Sequence, residues 1–291
     1  MILVIGGTGT TGRIVAATLA ERGHPTRIAS RRPSPGGFRF DWYDPTTHPD
    51  ALSGVRAIYA IPPVGEVDPA PIMLPFLDRA RSAGVRRVVL LSSSAIGPAE
   101  HGLGLVHARL GELFPEWAVL RPSWFMENFV SEQPHAVSAR DHGEIVSATG
   151  AGRVGFVDPA DIAEVAVRAL TDPTPHNTDH IITGPAALSY DEIAAVLTEV
   201  GGRPVRHRAV DAAELAGRHS VNGIPPDFAR FLASLDTAIA AGAEDRTTST
   251  VADVTGRTPR SFRDFCRDRL RGGGSSSGDG RCGERDDTGA S

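Results

Sequence analysis

The sequence predicts an α/β fold, a doubly wound parallel sheet followed by a smaller C-terminal lobe, and three observations predict it. Short β-branched runs alternate with helical patterns through the first half, as successive βαβ units require. The glycine-rich stretch Gly6-Gly7-Thr8-Gly9-Thr10-Thr11-Gly12 joins the first run to the first helix. A length of 291 residues suits one large α/β domain or two small ones with a sizeable buried core.

The elements follow in order. Ile2 to Ile5 reads as a buried first strand, and residues 12–22 as a helix with Ile14, Val15 and Leu19 on its apolar face. That helix ends at Gly23, a residue suited to a left-handed C-cap. Residues 26–30 and 37–40 read as the second and third strands, and 55–61 as a fourth, stopped by Pro62-Pro63. A helix over 72–83 closes at Gly84, and the apolar fifth strand, 87–91, runs into Ser92-Ser93-Ser94. A helix over 105–114 leads to a sixth strand, 118–121, halted by Pro122.

Beyond Pro122 the pattern loosens. Pro159, Asp158 and Asp161 are placed for the first turn of a helix reaching Leu170, where the aspartates read as structural N-terminal acids. Residues 180–183 read as a late strand returning to the sheet. Ser189 and Glu192, three apart, form a capping box before a helix to Val200. Residues 1–271 are therefore expected to form the folded unit, with the cofactor part mainly in 1–122 and a substrate lobe mainly in 123–271. Residues 272–291, rich in Gly, Ser, Asp and Arg, are expected to be a disordered tail.

Composition bounds the function. Hydrophobic residues make up 41% and charged residues 22%, the balance of a globular protein. A formal net charge of -5 argues against nucleic acid as a general partner. Cys266 and Cys282 form neither a metal-ligand cluster nor a disulfide framework, so no metal is expected and a reducing cytoplasm is the expected location. No signal peptide is legible, and no apolar stretch approaches the roughly 20 residues that span a bilayer. Every basic side chain is arginine or histidine; the sequence holds no lysine.

The glycines at 6, 9 and 12 carry the first functional reading. Between strand and helix they permit a tight turn, a close approach to a pyrophosphate and close helix–strand packing, the fingerprint of a Rossmann-type dinucleotide site. The helix N-terminus then offers free N–H groups to the phosphates, with Thr8, Thr10 and Thr11 alongside. The second strand selects the dinucleotide. NAD sites place an acid at its tip for the ribose 2′-OH, whereas arginine suits a 2′-phosphate. Here the tip reads Ser30-Arg31-Arg32 with no acid, which favours NADP(H); the bland reading is two solvated loop charges. Asp41, beside Trp42, either holds the adenine amino group or is a turn residue. Ile61, Pro62 and Pro63 should lie along the cofactor, if they do more than stop a strand.

Several of these residues carry a resemblance. The Gly6, Gly9 and Gly12 fingerprint, together with Leu120-Arg121-Pro122-Ser123-Trp124-Phe125-Met126-Glu127-Asn128-Phe129, resembles the atypical short-chain dehydrogenases with an NmrA-like fold. The latter string, with Thr258-Pro259-Arg260-Ser261-Phe262-Arg263-Asp264-Phe265, is most similar to the ergot-alkaloid branch, the festuclavine/agroclavine dehydrogenase type. The resemblance implies NADPH-dependent reduction of an iminium or related unsaturation.

Ordinary short-chain dehydrogenases activate a carbonyl with Ser-Tyr-Lys, and this sequence departs from that set. Its three tyrosines are Tyr43, Tyr59 and Tyr190, none in the stretch that directly follows the fifth-strand serines. Counted from Ser94, His107 and Gly111 stand where tyrosine and lysine would. Ketone reduction leaves an alkoxide that needs a proton, and loss of the acid costs about 10²–10⁴ in rate. Iminium reduction needs only hydride.

The candidate catalytic residues are Ser93, Ser94 and His107. The serines either hydrogen-bond substrate at the carboxyl edge of the sheet or cap a turn; His107 either donates a proton or is structural. Ser92, Pro122 and Ser123 should approach the nicotinamide. Trp124, Phe125, Asn128 and Phe129 are the substrate-pocket candidates, against the alternative of simple packing. The sequence thus predicts an NADPH-dependent reductase acting on C=N or conjugated C=C of a small, aromatic secondary metabolite. An NADPH-quinone reductase and a non-catalytic NADP(H)-sensing regulator are the alternatives. The sequence carries no signature of an oligomeric state.

Overall fold

A computed structural model describes residues 1–33 and 35–271 of the chain. The tail expected to be disordered, 272–291, lies outside the described residues. The elements in order are β1 (Ile2–Ile5), α1 (Thr10–Glu21), β2 (Thr26–Ser30), β3 (Phe38–Arg39), α2 (His48–Leu52), β4 (Ala57–Ala60), α3 (Ala70–Ser82) and β5 (Arg87–Leu91). Then come α4 (Gly102–Leu113), β6 (Glu116–Pro122), α5 (Pro134–His142), β7 (Glu144–Ser147), β8 (Arg153–Val154), α6 (Pro159–Thr171) and β9 (Thr178–Ile182). The chain closes with β10 (Leu188–Ser189), α7 (Tyr190–Gly201), β11 (Arg206–Ala209), α8 (Ala212–Val221), α9 (Pro226–Ala240), α10 (Thr250–Thr255) and α11 (Phe262–Arg271).

Seven strands form one parallel sheet in the order β3-β2-β1-β4-β5-β6-β9. The chain moves outward from β1 to β3 and then returns to β4 on the other side of β1. That reversal opens a crevice beyond the carboxyl ends of β1 and β4. Both faces are covered, as continuous apolar strands demand. Met73, Phe76, Leu77 and Val106 from α3 and α4 pack one face. Val15, Leu19, Ile162 and Ala166 from α1 and α6 pack the other.

The late strand joins the sheet as β9, which makes residues 123–271 partly sheet and partly lobe. The predicted capping box is present: Glu192 N–H donates to Ser189 Oγ at 3.2 Å, and Ser189 N–H donates to Glu192 Oε2 at 2.7 Å. Asp158 caps α6, accepting from Ala160 N at 2.8 Å. The strands of the small pairs β7–β11 and β8–β10 are only two to four residues long, so long-range packing rather than local propensity defines them.

The lobe contains a carboxyl with an unusual environment. Asp236 on α9 accepts from Ala148 N at 2.8 Å, and burial pushes its pKa up to about 6. The folded value lies above the ordinary 3.8, so the stabilising protonated form is complete below about pH 4 and is lost as pH rises through about 6. Asp236→Asn is expected to raise stability by about 1–2 kcal/mol at pH 7.5 and to give no gain at pH 4. Melting temperatures at the two pH values test this; the same shift at both would show that charge burial is not the cause.

Candidate active site

The glycine turn begins the site. Gly6 has φ +72°, a left-handed conformation that lets the chain leave β1 sharply. Its N–H donates to Ala29 O at 2.9 Å, and its own carbonyl accepts from Gly9 N at 2.9 Å. At Gly12 a Cβ would lie 2.3 Å from that Gly6 carbonyl oxygen, so the first turn of α1 sits against the loop without room for a side chain. No side chain caps α1, and its first turn holds no acid. Its leading N–H groups are therefore open to an anion, assisted by the helix dipole.

This turn floors a cleft of about 540 Å³, within the range of small-ligand sites. Gly6, Thr8 and Gly9 line its inner end. Arg31 and Arg32 stand at the tip of β2, exposed and facing the same cleft, with no acid beside them on that strand. Ser30, 9% exposed, lines it too, and its Oγ is buried without a hydrogen-bond partner. Ile61, Pro62 and Pro63 form the wall beyond β4. Trp42 completes it from the β3 side, fixed by its Nε1–H donating to Ile61 O at 3.1 Å. Asp41 lines the cleft, but its Oδ1 accepts from Tyr43 N at 3.1 Å, the geometry of a turn. Ser30 and Tyr43 went unnoticed in the sequence, although Ser30 directly precedes the arginine pair.

The structure separates Thr11 from this group. Its side chain is 2% exposed and Oγ1 accepts from the Tyr59 hydroxyl at 3.1 Å, beneath the cradle. The residues that remain fit a dinucleotide: open helix N–H groups, a cradle that a side chain would fill, and an orphaned buried hydroxyl beside two guanidiniums.

A second set gathers at the carboxyl ends of β5 and β6. The β ladder continues past both strands, with Ser92 N donating to Leu120 O, Ser94 N to Pro122 O and Ser123 N to Ile182 O. Ser92 and Ser123 each hold a buried Oγ with no partner. Ser93 Oγ accepts from Ala95 N at 3.3 Å, a local turn contact. Ser94 Oγ donates to Glu244 Oε2 at 2.8 Å, a contact across 150 residues that no sequence pattern marks.

His107 sits elsewhere. It is 5% exposed on α4, its Nδ1 unpartnered, beneath Arg121 and Asp179 rather than in the cleft. Burial depresses its pKa first of all; Asp179 opposes this and Arg121 adds to it. A neutral, enclosed imidazole is a poor match for the expected proton donor. Among the pocket candidates, Phe129 is 2% exposed and packs with Phe156, Tyr190 and Phe262 at centroid distances of 5.1–5.7 Å. It is core. Phe125 packs against the α6 side of the sheet and Trp124 against the lobe core, each half-buried, as is Asn128. Among the described residues no three His, Cys, Asp or Glu side chains converge on a metal position, and no helix is long and apolar enough to cross a membrane.

No protein-family model matches the chain. The uncharacterized oxidoreductase YesF of Bacillus subtilis (strain 168) is 46% identical over 268 residues, 91% of this chain and 93% of YesF. The agroclavine dehydrogenase of Claviceps fusiformis is 40% identical over 280 residues, 92% of this chain and 96% of that enzyme. Among solved structures, the NADPH-dependent quinone oxidoreductase QOR2 of Escherichia coli, complexed with NADPH, superposes with a TM-score of 0.77. It is 23% identical and covers 91% of this chain and 98% of its own, a likeness of fold. The identities over nearly the whole length decide for an enzyme over a non-catalytic sensor: the chain is an oxidoreductase and belongs to the ergot-alkaloid, agroclavine/festuclavine dehydrogenase branch of the atypical short-chain dehydrogenases.

Proposed function

We propose that the chain is an NADPH-dependent reductase that adds hydride to an iminium, or to a conjugated C=C, of a small aromatic metabolite. The observation that carries the cofactor choice is the tip of β2, where Arg31, Arg32 and the unpartnered Ser30 hydroxyl line the cleft without an acid on that strand; Asp41, the acid across the cleft, accepts from Tyr43 N in a turn. A planar guanidinium meets a phosphate through two charge-assisted bonds, which a ribose hydroxyl cannot return. Trp42, Ile61 and Pro62 give the apolar walls, and the N-terminus of α1 takes the pyrophosphate.

When bound, reduced nicotinamide supplies a hydride, and an iminium carbon that accepts it returns its C=N electron pair to nitrogen without requiring a proton. The residues near the carboxyl edge suit that economy. The sequence holds no lysine, Tyr190 alone among the tyrosines follows the β5 serines and is buried in the lobe core, and His107 is enclosed on α4. The unpartnered hydroxyls of Ser92 and Ser123 support this reading, which assigns the half-buried Trp124 and Asn128 to orienting a flat substrate. Orientation and exclusion of water are the protein's contribution.

NADPH absorbance followed with a cyclic iminium, an enone, a quinone and a simple ketone tests the proposal. Consumption is expected with the iminium first and with the ketone least. Tight NADPH binding with no consumption of any acceptor, or a preference for the ketone, would overturn it.

A further inference from the structure

Between α9 and α10 the chain crosses back over the carboxyl edge of the sheet. Thr248 N donates to Thr183 Oγ1 at 2.8 Å, and the Thr248 and Thr250 hydroxyls each donate to Ile181 O at 2.7 Å. The backbone of Arg246 lies so close to Gly155 that a Cβ there would stand 2.6 Å from its carbonyl oxygen. From this pinned segment Glu244 points inward and is 3% exposed.

The Glu244 carboxylate divides its oxygens. Oε2 accepts from Ser94 Oγ at 2.8 Å, and Oε1 accepts from Arg246 Nη2 at 3.3 Å. Arg246 Nη2 also reaches the Ser94 carbonyl at 3.3 Å. Arg121 Nη2 donates to that same carbonyl at 3.1 Å, while its Nη1 donates to Asp179 at 2.6 Å. Two guanidiniums and the Glu244 carboxylate thus close on one serine, with Asp179 behind Arg121. Arg246 keeps solvent contact, but the Glu244 carboxylate is buried, and holding a carboxylate out of water costs free energy that its contacts must offset, so fold stability alone is a weak reason for its place against Ser94.

We propose that Glu244 is a positioning residue for the reaction: it fixes Ser94 by accepting the one hydrogen bond that residue's hydroxyl can donate, so that the Ser94 oxygen can act toward substrate only as an acceptor. This rests on the reading of the β5–β6 edge as the reductase site. A hydroxyl has one proton to give. With it committed to Glu244, Ser94 cannot polarise a carbonyl, but it can receive an N–H. The site therefore favours an iminium bearing N–H over a ketone or an N-alkylated iminium.

The test uses the full chain with 3,4-dihydroisoquinolinium and its N-methyl analogue as acceptors, comparing wild type, Ser94→Ala, Glu244→Gln and the double variant. NADPH affinity, read by fluorescence, is expected to stay within about twofold throughout, because the cradle lies apart from this contact. With the N–H iminium, each single variant should lose roughly tenfold or more in kcat/KM, and the double no further, since both act through one contact. With the N-methyl iminium, which has no N–H to give Ser94, the losses should be several-fold smaller. Glu244→Gln within twofold of wild type on the N–H iminium, losses that multiply, or equal losses on both acceptors would overturn the proposal. Should wild type consume neither acceptor, the functional reading fails, and amide hydrogen exchange over residues 92–97 then decides for Glu244. Exchange about tenfold faster in Glu244→Gln supports its hold on Ser94, and unchanged exchange overturns it.

Discussion

Replacing Arg31 and Arg32 together by alanine is expected to weaken NADPH binding roughly ten- to a hundredfold while leaving NADH within about twofold. Both side chains stand exposed at the tip of β2 and face the cleft, so the loss should fall near the lower end of that range. A charge-assisted hydrogen bond contributes about 1.5–3 kcal/mol, less where solvent screens it. The difference between the two dinucleotides should shrink as salt rises from about 0.05 to 0.5 M, because the shortening Debye length weakens an exposed guanidinium–phosphate pair. Titrations with both cofactors at the two salt concentrations provide the measurement. Equal losses for NADPH and NADH would show that the arginines serve the cleft without reading the 2′-phosphate.

Gly12→Ala should have the largest effect of any single methyl added to the chain's first turn. The new Cβ would meet the Gly6 carbonyl oxygen at 2.3 Å, its carbon at 2.8 Å and Gly7 Cα at 3.0 Å, all backbone atoms that cannot rotate away. Either α1 shifts off the cradle or the Gly6 turn opens. Both move the N–H groups that face the anion. A loss of about 1–3 kcal/mol in stability is expected, with dinucleotide affinity reduced at least about a hundredfold. Gly217→Ala makes the control. No atom lies within 4 Å of a Cβ at this position in α8, so alanine should stabilise by about 1 kcal/mol through helix propensity. Unchanged melting and NADPH affinity in Gly12→Ala would refute the close-packed cradle.

The cradle was legible because its physics is local. A strand, a turn that needs glycine and a helix N-terminus are adjacent in sequence, and the arginines follow at the next strand tip. The Ser189–Glu192 box was legible for the same reason. Spacing from Ser94 leaves His107 open between proton donor and structural residue, and its burial on α4 with an unpartnered Nδ1 favours the second, which sequence distance cannot weigh. Phe129 is open in the sequence between pocket wall and simple packing, because an apolar residue near a site has the same signature as one in the core; only the packing with Phe156, Tyr190 and Phe262 separates the two. Thr11 shows the same limit on a smaller scale, one residue from the ligand side of the turn and bonded to Tyr59 beneath it.

By itself the sequence determined the α/β alternation, the phosphate cradle, the arginine tip and the lack of a Tyr-Lys pair, all of them matters of residue type within one or two elements. The tertiary structure alone decided which hydroxyls are free and which are committed. Ser92 and Ser123 keep unpartnered oxygens, while the Ser94 hydroxyl donates a hydrogen bond to a carboxylate 150 residues away. Backbone spacing is dictated locally, but the state of a buried hydroxyl depends on what the folded chain brings within 3 Å of it, and no local pattern encodes that approach.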